Sequence, residues 1–87
     1  MCRFYLLIFI QNLAVKAKKI LGRNLNKLRT QKKLTQVLLA DLAAIDRRYL
    51  QRIEAGESSP TIEVLAKLKR ALGCSWNELL KDVEAIH

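Results

Sequence analysis

Apolar residues recur at spacings of three and four along most of this chain, which is the period of one face of an α-helix. This pattern predicts a first helix that begins at Ala14 or Lys18 and ends at Lys33. Its apolar stripe consists of Leu21, Leu25 and Leu28, and the helix tolerates one glycine, Gly22. Thr35 has the hydroxyl of a helix N-cap, so a short second helix is predicted over residues 36–43. The inward residues of the second helix are Leu39, Ala40 and Ala43.

A third and a fourth helix are predicted from the same two signals, a capping residue and an apolar stripe. Asp46 caps the third helix and Gly56 ends it, as a glycine just past the last turn commonly does. The core side of this helix carries Leu50 and Ile53. Thr61 caps the fourth helix and Gly73 closes it, after a turn-rich connection over residues 56–60. The inner stripe of the fourth helix is Ile62, Leu65, Leu68 and Leu72.

A fifth helix is predicted towards the C-terminal end. Ser75 and Glu78 match a capping box, in which the hydroxyl accepts from one free backbone N–H and the carboxylate accepts from another. Leu79, Leu80 and Val83 continue this helix. The chain has 87 residues, enough for one small domain. The predicted fold class is all-α, a five-helix bundle over residues 18–87 with an apolar N-terminal extension over residues 1–17.

The second and third predicted helices form a pair with a recognisable composition. They are short, a brief break joins them, and the third helix carries the long hydrogen-bond donors Arg47, Arg48, Gln51 and Arg52. Two short helices joined by a turn, with such donors on the second of them, are typical of a helix-turn-helix that reads DNA in the major groove. Residues 34–56 therefore predict a DNA-binding site.

Charge is distributed unevenly along the chain, whose net charge is +8. Asp and Glu are absent before Asp41, whereas more than half of the 16 Lys and Arg residues lie in that first part. One stripe of the first helix, at spacings of three and four, consists of Lys16, Lys19, Arg23 and Lys27. A solvated helix face and a phosphate-binding surface both explain this stripe, and the helix-turn-helix that follows favours the second interpretation.

The apolar run at residues 4–10, FYLLIFI, has no clear place in the bundle. Even extended through Val15 it is shorter than the about 20 residues that a membrane span needs, so no membrane association is expected. Arg3 in front of it gives a weak likeness to a secretory signal, which does not suit a DNA-reading domain. An artefact of the chosen start site and an arm that packs on the domain or on a second subunit are the remaining interpretations. Because an exposed run of this kind promotes aggregation, a dimer contact is preferred.

The cysteines and the single histidine predict no metal site. Cys2 and Cys74 are not spaced as a disulfide framework, and the only histidine is His87, so no four-ligand set can be assembled. Cys74 follows a helix-ending glycine, where a small buried residue is expected. The chain also lacks a glycine-rich phosphate loop, a Cys/His pair and a carboxylate cluster, so neither an enzyme nor a cofactor is expected. Reduced cysteines fit a cytoplasmic protein.

A series of short segments carries a family resemblance. They are Leu28-Arg29, Leu34-Thr35-Gln36, Leu39-Ala40, Ile53-Glu54-Ala55-Gly56, Pro60, Leu65 and Ala71-Leu72-Gly73. In this order and spacing, the chain from about Ile20 to Leu80 resembles the lambda-repressor/Cro-type helix-turn-helix domain, also called the xenobiotic-response-element family of bacterial regulators. Each segment alone is a weak signal, and together they are a strong one.

The resemblance implies roles for single residues. In this family the glutamine that opens the second helix bonds a DNA phosphate, which assigns that role to Gln36, while Thr35 beside it is chiefly a cap. The first residues of the third helix read base edges, which points to Arg47 and Arg48, with Arg52 one turn further on. The planar donor fork of arginine matches the O6 and N7 acceptors of guanine, so a G-containing half-site is expected. The complete set of candidate DNA-binding residues is Gln36, Arg47, Arg48, Gln51, Arg52 and Thr35.

The resemblance also implies a structural ion pair between Arg29 and Glu54, which ties the first helix to the end of the third. Three positions depart from the family pattern. Ala44 stands where the turn usually has glycine, so the turn either avoids a left-handed conformation or absorbs about 1 kcal/mol of strain. Asp46 replaces the more common Ser or Thr cap. Leu38 is apolar where the second helix is usually polar, and could form part of a partner surface.

These observations predict a sequence-specific, repressor-like regulator that binds double-stranded DNA as a homodimer on two half-sites about one helical turn apart. A stand-alone repressor, a restriction–modification controller and an antitoxin all fit this description. The main alternative is a protein-interaction module whose principal partner is a protein, such as a toxin or a polymerase subunit. A second alternative is a membrane-associated regulator, anchored by the apolar run and the basic residues that follow it.

Overall fold

Five α-helices form over the residues that the structure describes, in the order that the apolar periodicity predicts. The structure is a computed structural model that describes the backbone of residues 2–83 and the side chains of residues 15–83. The helices are α1 (Cys2–Gln31), α2 (Gln36–Ala43), α3 (Arg47–Glu54), α4 (Ile62–Leu72) and α5 (Trp76–Leu79). The predicted all-α fold is therefore confirmed.

α1 is longer than predicted at its N-terminal end and shorter at its C-terminal end. It begins at Cys2, not at Ala14 or Lys18, and it has 30 residues. The predicted start was wrong because the chain has neither Pro nor Gly in its first 21 residues, so nothing in the backbone interrupts the helix. α1 ends at Gln31 because Lys33 takes a left-handed conformation with a φ of 58°.

The apolar run at residues 4–10 belongs to α1 by its backbone conformation, and its side chains lie outside the described residues. Its role as a dimer contact therefore stays a prediction, and residues 84–87 also lie outside the described part. The boundary expected between residues 17 and 18 falls inside α1, so the extension and the bundle share one continuous helix. No helix in the described part of the chain combines the length and the apolarity that crossing a bilayer requires.

The predicted inner stripes meet in one core. Its buried residues are Leu21, Leu25, Leu39, Ala40, Ala43, Leu50, Ile53, Leu68, Leu72, Cys74 and Leu79. Ile62 was wrongly predicted to face this core: as the first residue of α4 it lies at the end of the stripe, and it is 68% exposed. The expected burial of Cys74 is confirmed. Burial, assisted by the carboxylate of Glu78, raises the pKa of the Cys74 thiol, so it stays protonated near neutral pH.

Hydroxyl caps form at three of the predicted helix starts. The side chains of Thr35, Thr61 and Ser75 each accept a hydrogen bond from the backbone N–H three residues further on. Asp46 occupies the N-cap position of α3, but its carboxylate makes no capping hydrogen bond. The capping box is half formed, because the Ser75 hydroxyl is bonded while none of the hydrogen bonds among the described residues joins the Glu78 carboxylate to Ser75.

α5 is a single turn, and the prediction that it continues through Val83 was wrong. It ends at Leu79, and Asp82 takes a left-handed φ of 64°. Asn24 on α1 donates from Nδ2 to the carbonyl oxygens of Leu79, at 3.0 Å, and Lys81, at 2.7 Å. These bonds satisfy carbonyl groups that a helix end leaves open, so a side chain of α1 closes α5.

Gly22 is a packing requirement, although the sequence pattern treats it as a tolerable interruption. A Cβ atom at this position would lie 2.6 Å from the carbonyl oxygens of Ile53 and Glu54. A Cβ atom on Gly56, which has a φ of +77°, would lie 3.0 Å from the Cα atom of Lys19. The backbone of α1 therefore crosses the C-terminal end of α3 in direct contact, and this approach needs a glycine on each side.

The substitution Gly22→Ala is expected to lower the free energy of unfolding by about 1–3 kcal/mol, because its methyl group overlaps two carbonyl oxygens. The sign is informative, since the same change in an ordinary helix interior stabilises by about 1 kcal/mol. Urea denaturation measures the difference. Gly73→Ala is the control: it meets no atom within 4 Å and is strained only through its φ of +63°, which costs about 1 kcal/mol. A Gly22→Ala variant as stable as the wild type would contradict the close crossing.

Candidate DNA interface

A tight turn joins α2 to α3. The backbone N–H of Ala44 donates to the carbonyl of Asp41 at 3.2 Å, and the N–H of Ile45 donates to the carbonyl of Ala40 at 3.0 Å. Ala44 has a φ of 55° and a ψ of 45°, which is the left-handed conformation. The turn was expected either to avoid a left-handed conformation at Ala44 or to absorb its strain. The second of these is found, at a cost of about 1–2 kcal/mol for a residue with a side chain.

α3 has a buried apolar face and an exposed polar face. Leu50 and Ile53 have no exposed surface, which fixes the rotation of the helix about its axis. This rotation turns four candidate residues, all of them exposed, towards solvent: Arg47, Arg48, Gln51 and Arg52. Within residues 15–83, none of these four side chains makes a hydrogen bond or an ion pair to another part of the chain. Their donors are therefore available to a ligand.

The first turn of α2 presents backbone donors where Gln36 lies. The N–H of Leu38 donates to Thr35 Oγ1 at 3.1 Å, and the N–H of Leu39 donates to the Thr35 carbonyl at 3.0 Å. The N–H groups of Gln36 and Val37 have no hydrogen-bond partner among the described residues. Free N–H groups at a helix N-terminus attract anions. Gln36 thus lies at an anion-attracting end, whereas the Thr35 oxygen is already engaged as a cap.

Positive charge is concentrated in the first turn of α3. Because Asp46 makes no capping bond, the first N–H groups of this helix have no partner among the described residues. Arg47 and Arg48 place two further positive charges at the same end, which opposes the helix macrodipole. The arrangement is unfavourable in the free protein, and a polyanion or the acceptors of a base pair would relieve it.

One guanidinium connects the two helices of this site to α1. Arg29 donates from Nε to Glu54 Oε2 at 2.8 Å and from Nη2 to Glu54 Oε1 at 3.1 Å. Its Nη1 donates to the carbonyl of Leu34 at 2.8 Å, two residues before Gln36. The side chains of Arg29 and Glu54 are only 13% and 4% exposed. The predicted structural ion pair is therefore confirmed, and the same side chain also holds the entrance to α2.

Sequence reasoning missed two residues that help to position α3. Asn26 donates from Nδ2 to Glu54 Oε1 at 2.9 Å, and Gly22 allows α1 to reach the end of α3. Gly22, Asn26 and Arg29 follow one another at helical spacing, so they share one face of α1. That spacing is visible in the sequence, but the face is polar and resembles a solvated one.

The exposed face of α3 continues into a shallow groove. Arg48, Gln51 and Arg52 line this groove together with Ala55 and Glu57. The Glu57 carboxylate, which sequence reasoning did not assign to the site, brings a negative charge to the C-terminal end of this face and disfavours a phosphate there. Over the part of the chain that the structure describes, no cluster of His, Cys, Asp or Glu side chains is arranged to hold a metal ion.

Known proteins match the part of the chain that contains α2 and α3. A family model described as helix-turn-helix matches residues 25–79. The uncharacterized HTH-type transcriptional regulator y4dJ of Sinorhizobium fredii is 36% identical over 67 residues, which are 77% of this chain and 87% of that protein. The immunity repressor protein of Bacillus phage phi105 is 38% identical over 61 residues, 70% of this chain and 42% of that protein. The crystal structure of the restriction–modification controller protein C.AhdI from Aeromonas hydrophila matches with a TM-score of 0.69 and 35% identity, over 71% of this chain and 94% of that chain.

The substitution Glu54→Ala is expected to lower the free energy of unfolding by about 3 kcal/mol, because it leaves the Arg29 guanidinium shielded from water without its partner. Thermal or urea denaturation measures the change. Glu57→Ala removes the same charge from an exposed position three residues later, and should stay within about 0.5 kcal/mol of the wild type. Equal stabilities of the two variants would show that the ion pair does not stabilise the fold.

Proposed function

This chain belongs to the helix-turn-helix family of DNA-binding transcriptional regulators, and we propose that it regulates transcription by placing α3 in the major groove of an operator. One observation carries the proposal: α3 exposes a row of donor side chains that have no partner within residues 15–83, while its opposite face is completely buried. A helix held in this way is suited to reading base edges, because rigid support is what gives each donor a fixed direction.

The candidate residues make two kinds of contact with DNA in this proposal, to base edges and to phosphates. Arg47 and Arg48, in the first turn of α3, reach base edges, and Arg52 reaches a base edge or a phosphate one turn further on. Guanine suits these arginines, and the amide of Gln51 can pair with adenine in the same groove. Gln36 bonds a phosphate beside the free N–H groups of α2, which fixes the position of the domain on the duplex without reading sequence.

The protein acts by occupancy, as a repressor that blocks its operator, and the proposed mechanism needs neither catalysis nor a cofactor. It binds as a homodimer, because two copies related by a two-fold axis read two half-sites about 34–36 Å apart. A second copy also removes more apolar surface of this small chain from water. The proposal places the protein in the cytoplasm, with the DNA that it binds.

The substitution Arg48→Lys is expected to reduce discrimination at one base pair by about 1–3 kcal/mol, because lysine keeps the charge and loses the two-pronged contact. The slope of affinity against salt concentration should stay unchanged. Gln36→Ala should instead weaken binding to every sequence by a similar factor. The measurement is binding to sites selected from random DNA, at several salt concentrations. A wild-type protein with no preference over random DNA would refute sequence-specific regulation.

A second candidate function, a protein-interaction module, is favoured by one apolar surface. Leu38 and Leu42, one turn apart on α2, are 49% and 62% exposed. Leu42 borders a groove about 510 Å³ in volume, whose other lining residues are small or cationic: Ala43, Ala44, Ala66, Lys67, Arg70 and Ala71. This lining suits an apolar helix with acidic residues along its edge, such as a helix of a toxin or a polymerase subunit.

A repression assay distinguishes the two functions, with the selected operator placed upstream of a reporter. If binding to DNA is sufficient, Leu42→Ser should repress as the wild type does, because this residue lies outside the α3 donor face. If a protein partner is needed, the variant should lose most of the repression while its affinity for the operator in vitro changes less than about twofold. The affinity measurement is therefore the internal control.

A further inference from the structure

Four exposed cations share one face of α1, outside the donor face of α3. The α1 cationic stripe, defined as Lys16, Lys19, Arg23 and Lys27, occupies one helix face, and all four side chains are exposed. Within residues 15–83 none of them is in an ion pair, and the chain has no Asp or Glu before Asp41. A stripe that is neither neutralised nor buried is a surface for a polyanion.

The stripe passes the place where α1 meets α3. A Cβ atom on Gly22 would lie 2.6 Å from the carbonyl oxygens of Ile53 and Glu54, and one on Gly56 would lie 3.0 Å from the Cα atom of Lys19. The backbone of α1 at Lys19 therefore lies against the C-terminal end of α3. The remaining cations of the stripe extend from this contact in both directions along α1.

The dimensions of α3 and of DNA place this contact near a phosphate strand. A helix of eight residues is about 12 Å long, and the major groove of B-DNA is about 12 Å wide. When the first turn of α3 lies on base edges, its C-terminal end consequently approaches one wall of the groove. The wall is a row of phosphates, and α1 lies beside that end.

We propose that the α1 cationic stripe is a second DNA-binding surface, which binds the phosphates bordering the groove and contributes affinity without reading sequence. This inference rests on the proposed insertion of α3 into the major groove. The stripe is about 16 Å long, from Lys16 to Lys27 at 1.5 Å per residue, which is enough to follow several phosphates of one strand. It lies largely before residue 25, where the helix-turn-helix family match begins, so it adds to the DNA contacts of the family domain.

Lys19 has a competing structural explanation, and the test leaves it unchanged. Its backbone and Cγ atom lie beside Gly56, just after the C-terminal end of α3, where a cation is favourable to the helix macrodipole. The test variant is therefore the triple substitution of Lys16, Arg23 and Lys27 by Gln. The control variant is the triple substitution of Lys67, Arg70 and Lys81 by Gln, which removes three exposed cations from the C-terminal part of the chain. Lys67 and Arg70 line the groove considered above for a protein partner, and no such partner is present in this DNA-binding measurement. Both variants lower the net charge by the same amount.

The experiment measures the affinity of the full chain for a selected operator and for random DNA between 50 and 300 mM salt. The stripe variant is expected to lose affinity about 100-fold for both DNAs at 0.1 M salt, with the ratio between them unchanged. The slope of log affinity against log salt should become shallower by about 2 to 3, since each phosphate contact contributes about 0.9. The control variant should change the slope by less than about 1.

Three results would overturn the inference. One is equal slopes for the stripe and control variants, and another is a change in the ratio between operator and random DNA. The third is unchanged DNA affinity together with loss of binding to phosphatidylserine vesicles, which would assign the stripe to an anionic membrane. A wild-type preference for the operator in these cases would leave the proposed function intact. Absence of any wild-type preference would instead refute the proposed function itself, whatever the stripe variant does.

Discussion

The interaction on which the rest of the structure depends is the two-sided bond of Arg29. Its guanidinium holds the carboxylate at the end of α3 and the carbonyl just before α2, in a place with little access to water. A shielded charge that loses its partner is costly, so Arg29 and Glu54 hold each other in place. Because the guanidinium is planar with fixed donor directions, one rigid group sets the position of α1 against both helices of the motif.

This bond also determines the charge of the surface proposed to bind DNA. Glu54 is the only carboxylate within α3, and its pairing with Arg29 turns it away from the exposed face. Arg47, Arg48 and Arg52 consequently have no ion-pair partner within residues 15–83. A structural pair inside the domain thus leaves the exposed face of α3 strongly cationic, and the cost of the crowded arginines is offset by the buried contacts of Leu50 and Ile53.

Local signals predicted most of α2, α3 and α4, because apolar spacing and a capping hydroxyl act within a few residues. Thr35 and Thr61 cap as expected, and the inner residues of α2 and α3 are buried as expected. The predictions failed where such signals were missing or incomplete. No breaker marks the start of α1, and the carboxylate of Asp46 has the chemistry of a cap without making its bond. The DNA-binding roles themselves remain a proposal that geometry and family membership support.

The sequence by itself determined the helix periods, the apolar faces, the excess of positive charge and the donor residues of α3, since each depends on residue type and short spacing. Only the tertiary structure decided the close crossing at Gly22, the left-handed turn at Ala44 and the bond from Arg29 to the carbonyl of Leu34. It also decided that the α1 cationic stripe passes beside the end of α3 at Lys19. These features depend on where backbone atoms of distant segments approach one another, and a pattern along one segment contains no information about that approach.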